Sequence, residues 1–196
     1  MNYLAHFHLA GEDPELLAGS LLGEFLRGPV PEDWSPGVRL GVRLHRQVDA
    51  FTDAHPLTAR SRGRFQPPFR RYAGILVDLF YDHCLARDWS DYSPVPLAEF
   101  ARAVYARLHA RRAEWPPPMQ RGIDYMIAND LLCSYREMEG IGRALRGISG
   151  RLRRANPLAD ALPELERHAD GLAEDFAAFF PDVVAHAARI RGASGQ

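Results

Sequence analysis

Residues 68–87 read PFRRYAGILVDLFYDHCLAR. Within this stretch Ile75, Leu79, Asp82 and Ala86 recur three or four positions apart, so on a helix they stack along one face. Val77, Cys84 and Leu85 make the opposite side apolar as well, which predicts a central helix buried on most sides. A carboxylate interrupts its apolar stripe at Asp82, a second, Asp78, lies one turn earlier, and His83 follows at once. Ionised groups in such a place cost several kcal/mol unless they are paired or coordinate a metal, so Asp78 and Asp82 are expected to face inward toward a partner.

Working outward, Gly and Pro clusters cut the rest of the chain into helix-length pieces, and period-2 alternation rich in Val, Ile and Thr is almost absent. The class expected is all-α, a single-domain helical bundle over residues 1–191 with a flexible tail at 192–196. A short helix is expected over about 2–10. Asp13 as N-cap and Pro14 in the first turn open a helix to about Arg27, and a third runs from Pro36 until His55-Pro56 stops it. The segment 68–87 comes next, then helices at 97–114 and 119–147, the last interrupted near Gly140 or Gly142. C-terminal helices follow, split at Pro181.

Two of these helices offer partners for the polar groups of the central one. Glu24 shares a face with Leu17 and Leu21, and His45 and Asp49 lie one turn apart beside Leu44, Val48 and Phe51. Three helices thus aim Glu24, His45, Asp49, Asp78, Asp82 and His83 inward. Carboxylates and imidazoles from facing helices are how bundles build metal sites, and an oxygen and nitrogen set without thiolate suits manganese, iron, cobalt or magnesium better than a structural zinc. Metal-free pairing is the competing reading, with Arg43, Arg46, Arg70 and Arg71 available to neutralise single carboxylates. His6 and His8 are further ligand candidates or hydrogen-bonded core histidines. His109, His168 and His186 read as surface or packing groups, and Trp34, Trp89 and Trp115 as anchors of turns.

Composition narrows the chemistry. The 196 residues contain 24 Lys plus Arg, all of them Arg, against 25 acidic residues, for a net charge of −1. Without an amine side chain, Schiff-base and pyridoxal phosphate chemistry and a Lys-bearing phosphate loop are excluded. Near-neutral charge argues against nucleic acid as the main partner. No apolar run approaches a membrane span and the N-terminus lacks a signal-peptide pattern, so a cytoplasmic protein is expected, with Cys84 and Cys133 reduced and buried.

Taken together, several stretches resemble the acyl carrier protein phosphodiesterases, described as atypical members of the HD-type phosphohydrolases. They are Met1-Asn2-Tyr3-Leu4-Ala5-His6-Phe7-His8-Leu9, Gly19-Ser20-Leu21-Leu22-Gly23-Glu24-Phe25-Leu26-Arg27-Gly28, His45-Arg46-Gln47-Val48-Asp49-Ala50-Phe51-Thr52-Asp53, Arg70-Arg71-Tyr72, Asp78-Leu79-Phe80-Tyr81-Asp82-His83 with Trp89, and Tyr135-Arg136-Glu137-Met138. The resemblance implies an HD-phosphohydrolase-like bundle and hydrolysis of the phosphodiester joining 4′-phosphopantetheine to a serine of holo-acyl carrier protein, with a divalent metal, typically manganese. Glu24 and Glu137 stand where that family usually has Asp, one methylene longer. On this reading His6 or a carboxylate accepts a proton from water, and Arg27 or Arg46 holds the phosphate. The acidic carrier is expected to dock at Arg60, Arg62, Arg64, Arg70 and Arg71, taken as a connection between two site-bearing helices. The cluster Arg143, Arg146, Arg151, Arg153 and Arg154 is the second candidate. A phosphohydrolase of a small diester and a non-catalytic helical binding protein are the alternatives.

Overall fold

The computed structural model describes residues 1–193, and among them every regular element is helical. The α-helices are α1 (Tyr3–Ala10), α2 (Pro14–Phe25), α3 (Pro36–Ala54), α4 (Pro56–Gly63), α5 (Ala73–Arg87), α6 (Leu97–Ala110), α7 (Pro117–Ala128), α8 (Leu131–Ser134), α9 (Met138–Arg151), α10 (Leu162–Arg167) and α11 (Ala169–Gly192). This is the all-α, single-domain fold expected. None of the helices is long and apolar enough to cross a membrane.

Local chemistry starts the helices where the sequence marks them. The Asp13 carboxylate accepts the Glu15 and Leu16 N–H groups at 2.8 and 3.1 Å, and Ser35 Oγ accepts that of Val38 at 3.3 Å, each just before a proline at the first helical position. His55-Pro56 ends α3 but also begins α4, because His55 Nδ1 accepts the Leu57 N–H at 3.2 Å. The Arg60–Arg64 run is therefore a helix rather than an open connection, hidden in the sequence by its few apolar residues.

Helix α5 occupies the centre, packed by α1, α4, α9 and α11, with Leu76, Val77, Leu79, Phe80, Tyr81, Asp82, His83, Cys84 and Leu85 buried around its circumference. Helices α2 and α3 touch backbone to backbone: a Cβ on Gly19 would lie 2.1 Å from the Val38 carbonyl, and one on Gly41 2.5 Å from that of Leu16. This contact presses the α2 face that carries Glu24 toward the α3 face that carries His45.

Three boundaries differ from expectation. The 119–147 helix breaks at Asn129-Asp130, where Asp130 is left-handed (φ 41°), and again at 135–137, while Gly140 and Gly142 lie inside α9. Gly140 serves close approach, since a Cβ there would meet the Ser134 carbonyl at 1.7 Å. Helix α11 runs unbroken through Pro181. The carbonyl the proline leaves unpaired belongs to exposed Ala177, where water can reach it, and buried Phe176, Phe179, Phe180 and Val183 hold the helix on both sides. The same helix includes Gly192, the first residue of the expected tail, and 194–196 lie outside the described residues. Cys84 and Cys133 are free thiols, the second only half-buried.

Candidate metal centre and its cleft

The strongest convergence in the molecule joins α1 to α3. His6 Nε2 lies 3.1 Å from Asp49 Oδ1, His45 Nε2 lies 3.2 Å from Asp49 Oδ2, and the two imidazoles stack with centroids 4.1 Å apart. His45 is one turn before Asp49, as its spacing predicts, and its ring lies flat on Gly23 of α2, where a Cβ would come within 2.6 Å of it. The three residues offer ligand atoms all within 4.8 Å of one another. Ligand atoms bound about 2.1 Å from one ion sit roughly 3 Å apart, so the observed separations fit a small divalent cation.

Electrostatics keep the donors in metal-binding form. Burial, followed by the neighbouring His45, lowers His6 to about 4, leaving a neutral imidazole. At Asp49 burial acts to raise the carboxyl, but hydrogen bonds from His45 and His6 outweigh it and hold it well below the usual range. His45 Nδ1 and Ser20 Oγ are buried without a hydrogen-bond partner among the described residues. Ser20, His6, Glu24 and His45 line a hollow of about 10 Å³, the size of one water.

Beyond that hollow opens a cleft of about 580 Å³ between α5, α7 and α9. Glu24, Met1, Asn2 and Tyr3 line both spaces, so Glu24 stands between the histidines and the cleft. Glu24 is exposed toward the cleft, and desolvation on its protein side, ahead of the opposing charge of His45, raises its carboxyl. Asp78 also faces the cleft, 39% exposed and thus less buried than expected, and accepts the Met1 amino group at 2.9 Å; that amine lies 3.8 Å from Asp49. Asp49, Asp78 and Glu24 are thereby gathered around a positive charge.

Asp82 is fully buried as expected, but its partner is backbone. It accepts the N–H groups of Leu4 at 2.7 Å, Ala5 at 3.2 Å and Asn2 at 3.3 Å, capping α1 from across the core. Burial still raises it to about 7 against those bonds. His83 points away, donating Nδ1–H to the Tyr135 carbonyl at 2.9 Å. Arg46 donates to the carbonyls of Leu26 and Gly28 at 3.2 and 2.7 Å, fixing the loop that carries exposed Arg27. Glu137 is exposed at the start of α9, outside the cluster. Of the residues singled out as metal ligands, the structure thus draws His45 and Asp49 together, adds His6, leaves Glu24 and Asp78 at the cleft edge, and turns Asp82 and His83 to other partners.

The sequence gives little sign of the cleft's far wall on α7 and α9. Its one trace is Tyr125 and Leu152, large apolar side chains left 44% and 39% exposed.

Comparison with known proteins bears on the family of the chain. The family model described as acyl carrier protein phosphodiesterase matches residues 1–183. Proteins named acyl carrier protein phosphodiesterase from Salmonella paratyphi A, Salmonella agona and Escherichia coli are each 36% identical over 190 residues, covering 96% of this chain and 98% of the relative. No solved structure matches. A match over nearly the whole length, from the α1 histidine to the middle of α11, makes this chain a member of the acyl carrier protein phosphodiesterase family.

Proposed function

We propose that the protein is a metal-dependent phosphodiesterase that cleaves 4′-phosphopantetheine from holo-acyl carrier protein. The observation that carries this reading is the His6–His45–Asp49 cluster, with Glu24 between its histidines and a cleft, in a chain of this family. Two imidazoles and a carboxylate favour manganese, iron or cobalt over magnesium, which prefers oxygen alone; manganese is the ion we assign. Bound there, such a cation supplies Lewis-acid stabilisation of the phosphoryl oxygens and acidifies water.

The chain's own groups do the rest. His6, His45 and Asp49 would hold the ion, and Asp78 holds the Met1 amine that lies beside Asp49. Glu24, raised by desolvation on its protein side and placed between hollow and cleft, accepts the proton from the attacking water, a role His6 gives up by joining the ligand set. Arg27, exposed beside Glu24, meets the phosphate, and Arg46 positions it by holding its loop. Asp82 supports the site by anchoring the first turn of α1, on which His6 sits. A cytoplasmic setting belongs to the same reading, since Cys84 and Cys133 are unpaired.

The experiment is incubation of holo-carrier with the protein and manganese, followed by intact mass. The expected result is loss of the phosphopantetheine mass from the carrier; an unchanged carrier with each of manganese, iron, cobalt and magnesium overturns the reading. A protein that also binds none of these ions is the helical binding protein of the alternative reading.

A further inference from the structure

Of the region first expected to meet the carrier, all but Arg71 is internally engaged. Arg60 and Arg64 are ion-paired with buried Asp175, Arg62 pairs with Asp53 at 2.7 Å, and Arg70 donates to the Arg62 carbonyl at 2.9 Å. The arginines of α9 and the turn after it differ. Arg143, Arg146, Arg151 and Arg153 are exposed, as is Arg121 facing them from α7, and none has a hydrogen-bonded or ion-paired partner among the described residues. In a chain of net charge −1, this face gathers several arginines whose positive charge is left unspent. Arg121 and Arg151 also line the cleft, whose walls there are Tyr125, Met126, Ile148 and Leu152.

We propose that an acidic carrier protein docks on the arginine-bearing face of α9 and α7 and lays its prosthetic arm along the cleft toward Glu24 and the His6–His45–Asp49 cluster. This rests on the phosphodiesterase reading and adds the surface and the path. Unpaired arginines suit an acidic partner because no internal pair must break on docking, and rim charges act mainly on association. The arm is amphiphilic, with a gem-dimethyl group and two amides, and the cleft offers apolar walls interrupted by polar groups such as Asn2 and Tyr3. One position reports on the path directly. A Cβ on Gly147 of α9 would meet only the Tyr125 hydroxyl, at 3.9 Å, so a large side chain there enters the cleft without striking the backbone.

The test uses two ligands that are not turned over: the apo-carrier for the surface and phosphate-free pantetheine for the cleft. Arg146→Glu/Arg151→Glu should weaken apo-carrier binding by about tenfold or more at low salt and flatten its salt dependence, whereas Arg62→Glu/Arg70→Glu stays within about twofold. Gly147→Trp should weaken pantetheine by about tenfold or more, the loss expected when a binding cavity is filled. The proposal is overturned if the Arg62/Arg70 pair carries the carrier affinity instead, or if Gly147→Trp binds pantetheine like the unmodified protein. Melting curves taken alongside establish that each variant is folded. Because both readouts are equilibrium binding, they succeed or fail independently of whether holo-carrier loses its phosphopantetheine.

Discussion

Asp175 and Asp49 each collect two basic side chains on one carboxylate, one pair guanidinium and the other imidazole. Around Asp175 every valence is used: Arg60 binds Oδ1, Ser61 donates to Oδ2 at 2.7 Å and Arg64 at 3.0 Å, and Ser61 is in turn 2.9 Å from the Tyr81 hydroxyl. Its side chain is 0% exposed. Burial opposes ionisation there, and the bonds from Arg60, Ser61 and Arg64 outweigh it. Around Asp49 the donors are imidazoles, the side chain is 42% exposed, and His45 Nδ1 and Ser20 Oγ beside it are unpaired. A saturated cluster joins α4 to α11 and can do nothing else. The cluster with valence to spare, with only Glu24 between its histidines and a cleft, is the one fitted for chemistry.

Substitutions at the two carboxylates should separate these roles. Asp49→Asn or His45→Ala should cost the metal-dependent reaction several kcal/mol of transition-state stabilisation, at least about a hundredfold in rate, with little change in melting temperature. Metal affinity, read by calorimetry, should fall in parallel; near-normal turnover and affinity would make the cluster a structural pair like the other. Asp175→Ala should do the reverse. Losing one partner of a buried ion pair costs about 3 kcal/mol here, the low end for such pairs because Arg60 and Arg64 are partly exposed and can turn to water, and it should appear in denaturant midpoints with metal affinity intact.

Asp82 lies between the two classes, and a pair of variants sharpens where it belongs. As a cap it should yield about 1–2 kcal/mol on change to Ala, with some lost turnover because His6 rides on the first turn of α1. Leu4 bonds one Asp82 oxygen and Ala5 and Asn2 the other, and Asn keeps only one acceptor oxygen, so Asp82→Asn should recover part of the stability and activity that Ala loses. If Asn is as inactive as Ala while equally stable to the unmodified protein, Asp82 is a metal ligand after all.

How much of this could be read from the chain depends on whether the contact is local. The central place of α5 is written in its apolar residues on all sides, and His45 with Asp49 in their i, i+4 spacing. What completes the cluster is not local: His6 reaches Asp49 only because α1 packs on α3, and Asp82 serves main-chain N–H groups some 80 positions away, as the 78-residue separation from Leu4 shows. Capping across the core leaves no periodicity to detect. Helix α4 was masked by polar residues that it spends on Asp175, and α11 by a proline whose cost falls on the solvent-exposed Ala177 carbonyl.

The smallest effect compares two imidazoles on one short helix. His8, two residues from His6, packs edge-on to Trp89 at 5.3 Å and against Phe180 at 5.7 Å, and burial, with the nearby Arg191 charge, lowers it to about 4. Its folded value lies below the ordinary 6.5, so the unfolded chain binds the extra proton between these limits. The stability this neutral imidazole contributes is complete above about pH 6.5 and drains away as the pH falls toward about 4. His8→Phe keeps the aromatic packing and removes the titration. It should therefore reduce the stability lost between about pH 7.5 and pH 5.5 by about 1 kcal/mol, measured by urea melts at both values, and leave metal affinity untouched. An unchanged acid loss in the variant would mean that His8 is protonated in the folded protein and that other buried histidines, His6 and His83, carry the titration.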